Sequence, residues 1–312
     1  MKIAFIFPGQ GAQYPGMMKD FLNSYAIARQ TFEEADDILG RNLSEIILNG
    51  PEDLLTETRN SQTGIYVASI AVLRVIQELF PEFAPSVCAG LSLGEYTAAT
   101  AAGILDYSSG LPLVQSRGEF MNEACEAYKG TMAVVLGLEA DVVEKIVQDA
   151  NLPQDLWTAN FNCPGQVVIS GTKMGIEAGT ELAKERGAKR VLPLQVHGAF
   201  HSGLMQKAEE KLAEVVKEVD LSDANTAFVM NVPGKTVSDL NQIRENLIHQ
   251  VTSPVRWEQG IREIDQMGVD LYIEMGPGKT LAGFNKRIGT IAPTASIEQV
   301  ENLKLLESKI KG

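Results

Sequence analysis

The first apolar run is short and unbroken. Ile3-Ala4-Phe5-Ile6-Phe7 is stopped by Pro8-Gly9, and a run without alternation predicts a strand covered on both faces, as in parallel sheets. Ser86-Val87-Cys88-Ala89-Gly90 repeats the pattern. Several helical patterns lie between them, clearest over Ile65 to Leu79. There Ile65, Ala68, Val72, Val75, Ile76 and Leu79 recur every three or four positions and predict a helix with one buried face. Glu95 to Ala102 reads as a helix of small residues, and Ser108 to Ala127 as a longer one ending near Gly130. This succession is the rhythm of an α/β fold.

From Thr131 to Val196 the texture changes. Met132 to Leu136 reads as a strand and Ala140 to Asp149 as a helix; Trp157 to Phe161 and Gln166 to Ser170 are strands joined across Cys163-Pro164-Gly165. A helix over Lys173 to Arg186 and a strand over Arg190 to Val196 complete a β-α-β-β-α-β order, that of a ferredoxin-like module. The α/β texture then resumes with a helix over Gly203 to Val219 and strands at Ala227 to Met230 and Leu271 to Ile273. The pattern predicts an α/β core made of residues 1–128 and 198–312, interrupted by a small α+β domain of residues 129–197. Ligands favour the crevice between such units.

Composition narrows the function. With 45% apolar and 21% charged residues in 312, the chain can bury a real core. Forty acidic against 27 basic side chains leave a net charge of −13 with no basic block, so neither nucleic acid nor an anionic membrane is an expected partner. No bilayer-length apolar stretch is free of charge, since Ser86 to Leu105 is cut by Glu95. Met1-Lys2-Ile3-Ala4-Phe5 carries no signal or transit pattern, and a cytoplasmic protein is expected. Cys88, Cys125 and Cys163 are odd in number and far apart, so they are expected as free thiols. His197, His201 and His249 lack metal-ligand company, and no metal site is expected.

The sharpest chemical signal is Gly90-Leu91-Ser92-Leu93-Gly94, a G-x-S-x-G between a buried strand and a helix. A nucleophile on so sharp a turn needs neighbours without bulk two residues away, and it gains an exposed hydroxyl at a helix N-terminus. The N–H of Leu93 would be free to stabilise an oxyanion. Its base would be His201, just ahead of a helix whose dipole disfavours imidazolium, with His197 as the alternative; His249 reads as a surface or packing residue. Gly9-Gln10-Gly11-Ala12-Gln13-Tyr14 lacks the third glycine of a dinucleotide loop, and Gly278-Lys279-Thr280 lacks the first glycine of a phosphate loop. The loop at Gln10 could still supply the second oxyanion donor. Arg117 sits in an apolar helical stretch, and the residues alone favour an ordinary surface arginine.

Six ordered motifs together resemble a known family: Phe7-Pro8-Gly9-Gln10-Gly11-Ala12-Gln13, Gly90-Leu91-Ser92-Leu93-Gly94-Glu95-Tyr96, Ser116-Arg117-Gly118, Asn160-Phe161-Asn162-Cys163-Pro164-Gly165-Gln166, Gly198-Ala199-Phe200-His201-Ser202 and Glu274-Met275-Gly276-Pro277-Gly278. The chain resembles the malonyl-CoA:acyl carrier protein transacylases of bacterial-type fatty acid synthesis over residues 1 to about 305. The resemblance implies an α/β-hydrolase-like core with an inserted ferredoxin-like subdomain. It implies Ser92 as acylated nucleophile, His201 as base and Gln250 as the backbone carbonyl that orients the histidine. Gln10 and Leu93 would form the oxyanion hole. Arg117 would grip the malonyl carboxylate, with Asn160, Asn162, Phe200 and Met132 around the substrate. Malonyl-CoA and acyl carrier protein would be the partners of a monomer that uses no cofactor, coenzyme A thioester being a substrate. Leu91 stands where the family usually has histidine, and Ala12 where serine is common. A serine hydrolase and a non-catalytic scaffold are the competing classes; Arg117 and the missing triad acid oppose the first. For an acidic carrier, two basic clusters are candidates for docking: Lys184, Arg186, Lys189 and Arg190, and Lys279, Lys286 and Arg287.

Overall fold

The computed structural model describes residues 1–196 and 198–310, so His197, the alternative base, lies outside the described residues. Ten strands occur among them: β1 (Ile3–Phe7), β2 (Val87–Gly90), β3 (Thr131–Leu136), β4 (Leu156–Cys163), β5 (Gln166–Gly171), β6 (Arg190–Pro193), β7 (Ala227–Met230), β8 (Lys235–Thr236), β9 (Leu271–Met275) and β10 (Thr294–Ile297). Six build a sheet in the order β10-β9-β1-β2-β7-β8. Its first five strands are parallel, and β8 closes one edge antiparallel to β7. All five residues of β1 and all four of β2 are buried, as unbroken apolar runs require at the centre of a sheet covered on both faces.

The other four strands form an antiparallel sheet in the order β4-β5-β3-β6, with helices Ala140–Ala150 and Lys173–Glu185 as its crossovers. That order and handover of strands are ferredoxin-like. The small sheet is tied to the larger unit through the backbone. Val255, between elements of the larger unit, donates to the Ala159 carbonyl at 2.8 Å and accepts from the Phe161 N–H at 2.9 Å.

Three elements differ from the sequence pattern for physical reasons. The helix read from Ile65 begins at Thr58, because its first two turns carry Asn60, Ser61, Gln62 and Thr63. These are buried polar residues that apolar periodicity cannot detect. The strand read to Ile273 continues through Glu274 to Met275. Glu274 is buried in mid-sheet, where it accepts from the N–H groups of Leu281 and Ala282 and from Ser296 Oγ, and so caps helix Thr280–Ile288. The strand read to Val196 ends at Pro193: the Leu194 N–H makes one last bond to the Met132 carbonyl at 2.9 Å, and the Val196 N–H then turns back onto the Leu194 carbonyl, a tight turn that leaves the ladder. No helix among the described residues is long and apolar enough to cross a membrane.

Candidate active site

The turn after β2 is fixed by contact. A β-carbon on Gly90 would lie 1.9 Å from the carbonyl of Gly94, and one on Gly94 would lie 2.2 Å from the Phe7 carbonyl oxygen of β1. Only hydrogen fits at either place, so the chain folds back over itself between them. Ser92, at the apex, is held at φ +52°, a left-handed conformation that costs a residue with a β-carbon about 1–3 kcal/mol. Helix Gly94–Ala101 starts immediately afterwards. The hydroxyl thus stands at the carboxyl ends of β1 and β2, where α/β sheets present their ligands.

His201 approaches from the segment before the short helical turn Gly203–Met205 and is also strained, at φ +56°. Its Nε2 lies 2.8 Å from Ser92 Oγ, and its Nδ1 lies 2.8 Å from the Gln250 carbonyl oxygen. A carbonyl can only accept, so Nδ1 carries the proton and Nε2 is the acceptor for the serine. Burial, helped by the positive charge of Arg117, lowers the imidazole pKa to about 4. The ring therefore stays neutral, as a base must, with a backbone carbonyl in the place of a triad acid.

Arg117 is the surprise of the residue-by-residue reading. It is 1% exposed, not a surface side chain. Nη1 donates to Gln62 Oε1; Nη2 donates to Gln250 Oε1 at 2.8 Å and to Ser92 Oγ at 3.1 Å. The Tyr96 ring lies 5.4 Å from the guanidinium carbon. Nε is buried without a partner. Among the described residues no carboxylate is in direct contact with this cation, and burial lowers its pKa. A buried guanidinium beside a serine hydroxyl, with no carboxylate in direct contact among the described residues, is able to pair with a carboxylate brought by a ligand.

A cleft of about 160 Å³ opens over Ser92 between the two sheets. Gln10, Leu91, Ser92, Phe200 and His201 line it from the larger unit, Met132 and Asn160 from the smaller. Among the described residues neither the Gln10 nor the Leu93 N–H has an acceptor, so both donors are free. The Leu91 side chain adds an apolar surface. Asn162 does not share this wall. It is buried with Oδ1 unpartnered, and the register of β4 on β5 shifts between Phe161 and Cys163, so the alternation that pairs Asn160 with Asn162 on one face is broken there. His249 is half exposed and faces Glu209 at 3.3 Å.

Three site residues were missed. Gln62 holds Arg117 and also reaches Gln10 Oε1 at 3.3 Å. Asn231, the residue after β7, accepts the Ser92 N–H at 2.7 Å. Glu95, wholly buried, takes the Asn231 N–H and the Gln250 amide, both at 2.5 Å. The helix face of Gln62 and Glu95's place after the nucleophile turn were the only signals available, and neither names a partner.

Attack by a serine on an activated carbonyl, with a neutral imidazole as base and two backbone N–H groups without an acceptor of their own among the described residues, is the chemistry this cleft can support. Fold and site together define an acyltransferase. The chain matches the family model described as the acyl transferase domain over residues 4–301, and it belongs to that family. It is 44% identical, over 99% of its own length and 98% of the relative's, to a malonyl CoA-acyl carrier protein transacylase of Bacillus subtilis. Among solved structures it is similar to a malonyl-transacylase in complex with its type II PKS acyl-carrier protein, with a TM-score of 0.95, 37% identity and coverage of 99% and 100% of the two chains. A similar likeness, with a TM-score of 0.94, 40% identity and the same coverage, holds for MCAT from Streptococcus pneumoniae.

Proposed function

We propose that the protein transfers a malonyl group from malonyl-CoA to the phosphopantetheine thiol of an acyl carrier protein, through a malonyl ester on Ser92. Ser92 Oγ attacks the thioester carbonyl while His201 Nε2 takes its proton. The N–H groups of Gln10 and Leu93 hold the tetrahedral oxyanion. The carbon–sulfur bond breaks, and the imidazolium returns the proton to the departing coenzyme A sulfur. In the second half, His201 takes the proton of the carrier's thiol, sulfur attacks the serine ester, and Ser92 recovers its proton. Every step is proton transfer and acyl exchange, which these side chains supply themselves. Met132, Asn160 and Phe200 shape the cleft around the acyl and pantetheine groups, with residues 129–197 as the small domain that covers it.

The observation that carries the malonyl assignment is Arg117. Its Nη2, 3.1 Å from Ser92 Oγ, belongs to a buried cation that no carboxylate contacts directly among the described residues. A malonyl group esterified to Ser92 brings a carboxylate to that position; an acetyl group does not.

For the carrier, the two basic clusters support one docking surface. Lys189 and Arg287 line a single hollow with Pro164, Gly165 and Glu139, although nearly a hundred residues separate them. Long-range attraction there would offset the repulsion expected between two acidic proteins. The test follows malonyl transfer from malonyl-CoA to carrier, to free pantetheine and to water. Carrier should be the preferred acceptor, and charge reversal at Lys189 and Lys286 should slow that reaction alone, more so at low salt. Release to water at the same rate as to thiols would identify a hydrolase, and equal slowing with both thiols would sink the docking surface.

A further inference from the structure

Glu95 directly follows the nucleophile turn, is wholly buried, and has no part in the steps above. Its two oxygens face opposite sides of the site. Oε1 accepts from the backbone N–H of Asn231 and Oε2 from Nε2 of Gln250, each at 2.5 Å. Both partners reach the reacting groups. Asn231 accepts the Ser92 N–H on Oδ1 and donates from Nδ2 to the Gly90 carbonyl, both at 2.7 Å, so one amide spans the turn. Gln250 donates to the Ser92 carbonyl at 2.9 Å, accepts from Arg117 at 2.8 Å and offers its own backbone carbonyl to His201.

An amide side chain has a donating and an accepting end, and something must decide which of them meets the arginine. At Gln250 the decision is made by what the other end faces. Glu95 Oε2 and the Ser92 carbonyl are both acceptors, so Nε2 turns to them and Oε1 is left for the guanidinium. Burial pushes the pKa of the Glu95 carboxyl up to about 8, and the Asn231 N–H, the Gln250 amide and the Arg117 charge oppose that rise. The geometry shows a carboxyl group whose two oxygens each accept from a donor, the backbone N–H of Asn231 and Nε2 of Gln250.

We propose that Glu95 is a positioning residue, a buried carboxyl group that sets the orientation of the Gln250 amide and thereby aims Arg117 at the free carboxylate of the acyl group. The inference rests on the reading of Arg117 as the malonyl receptor. Glu95→Gln preserves shape but brings an NH₂ against the Asn231 N–H or the Gln250 NH₂. The relief is to turn the Gln250 amide over, which points a donor at Arg117.

The experiment compares malonyl and acetyl transfer by wild type, Arg117→Ala, Glu95→Gln and the double variant, with thermal unfolding as the check on folding. Glu95→Gln should lower the malonyl-to-acetyl ratio of kcat/KM about tenfold, the scale of one charge-assisted hydrogen bond, mainly through KM for malonyl-CoA. The double variant should show a ratio no lower than Arg117→Ala alone, because Glu95 acts on the malonyl group only through that arginine. Should Glu95→Gln not fold, Gln250→Met, which keeps the volume and the backbone carbonyl for His201, must show the same selective loss. Equal losses for the two acyl groups in the folded variant, while Arg117→Ala remains selective, would overturn the role of Glu95 alone. An unchanged ratio in Arg117→Ala would overturn the receptor reading and this inference with it.

Discussion

Between Gly90 and Gly94, five consecutive residues fix one another by contact. Behind them, Arg117, Gln250, Glu95 and Asn231 come from four separate segments and are held by hydrogen bonds. The first region tolerates no added atom, as the 1.9 and 2.2 Å approaches of missing β-carbons show. The second depends on the direction of each donor and acceptor. The difference explains a division of labour. Steric locking sets where Ser92 is; on the reading proposed above, a polar cluster, which depends on charge and on which end of an amide faces which neighbour, sets which acyl group Ser92 accepts.

The turn breaks hardest. Gly94→Ala places a methyl group against backbone oxygens of β1 that cannot retreat without parting the sheet. Loss of measurable acyl transfer and destabilisation of about 3 kcal/mol, the upper range for overpacking, are expected in activity assays and thermal unfolding. A variant with wild-type stability would show that the turn has slack. The cluster breaks selectively. Arg117→Ala should cut malonyl transfer by about a hundredfold, the worth of a charged pair in a dry cleft, and leave acetyl transfer less affected or improved. Arg117→Lys should rescue poorly, since an ammonium lacks the planar fork. Equal losses for both acyl groups would make Arg117 structural.

The smallest expected effect links the two regions. With His201 lowered to about 4 by burial and by the Arg117 charge, kcat/KM for acetyl-CoA should hold its plateau through pH 6 and fall only toward 4. Removing the cation makes imidazolium less unfavourable, so Arg117→Ala should move that limb upward. An acid limb at the ordinary histidine value of about 6.5 in both proteins would contradict the electrostatic account.

The same contrast decides what could be read from the chain. β1 at Ile3–Phe7 and β7 at Ala227–Met230 were legible to the residue, and β2 to within one, because continuous apolar runs report burial on both faces. β8 and β10 were not, since one has two residues and the other alternates Thr294 and Ser296 with apolar neighbours at the opposite edge of the sheet. The glycine-framed turn is a local pattern and was visible as such. Arg117 read as a surface residue because helical periodicity does not reveal a buried polar contact. The bonds of Glu95 to Asn231 and Gln250 span 136 and 155 residues, and no local pattern encodes an acceptor that far away.

The central claim is that the acyl group rests on Ser92 with its carboxylate toward Arg117. Mass spectrometry of the intact protein mixed with malonyl-CoA, followed by peptide mapping, tests it most directly. A single malonyl adduct on the peptide carrying Ser92, discharged by carrier thiol and absent from Ser92→Ala, is the expected result. An adduct that persists in Ser92→Ala, or maps to another residue, would contradict it.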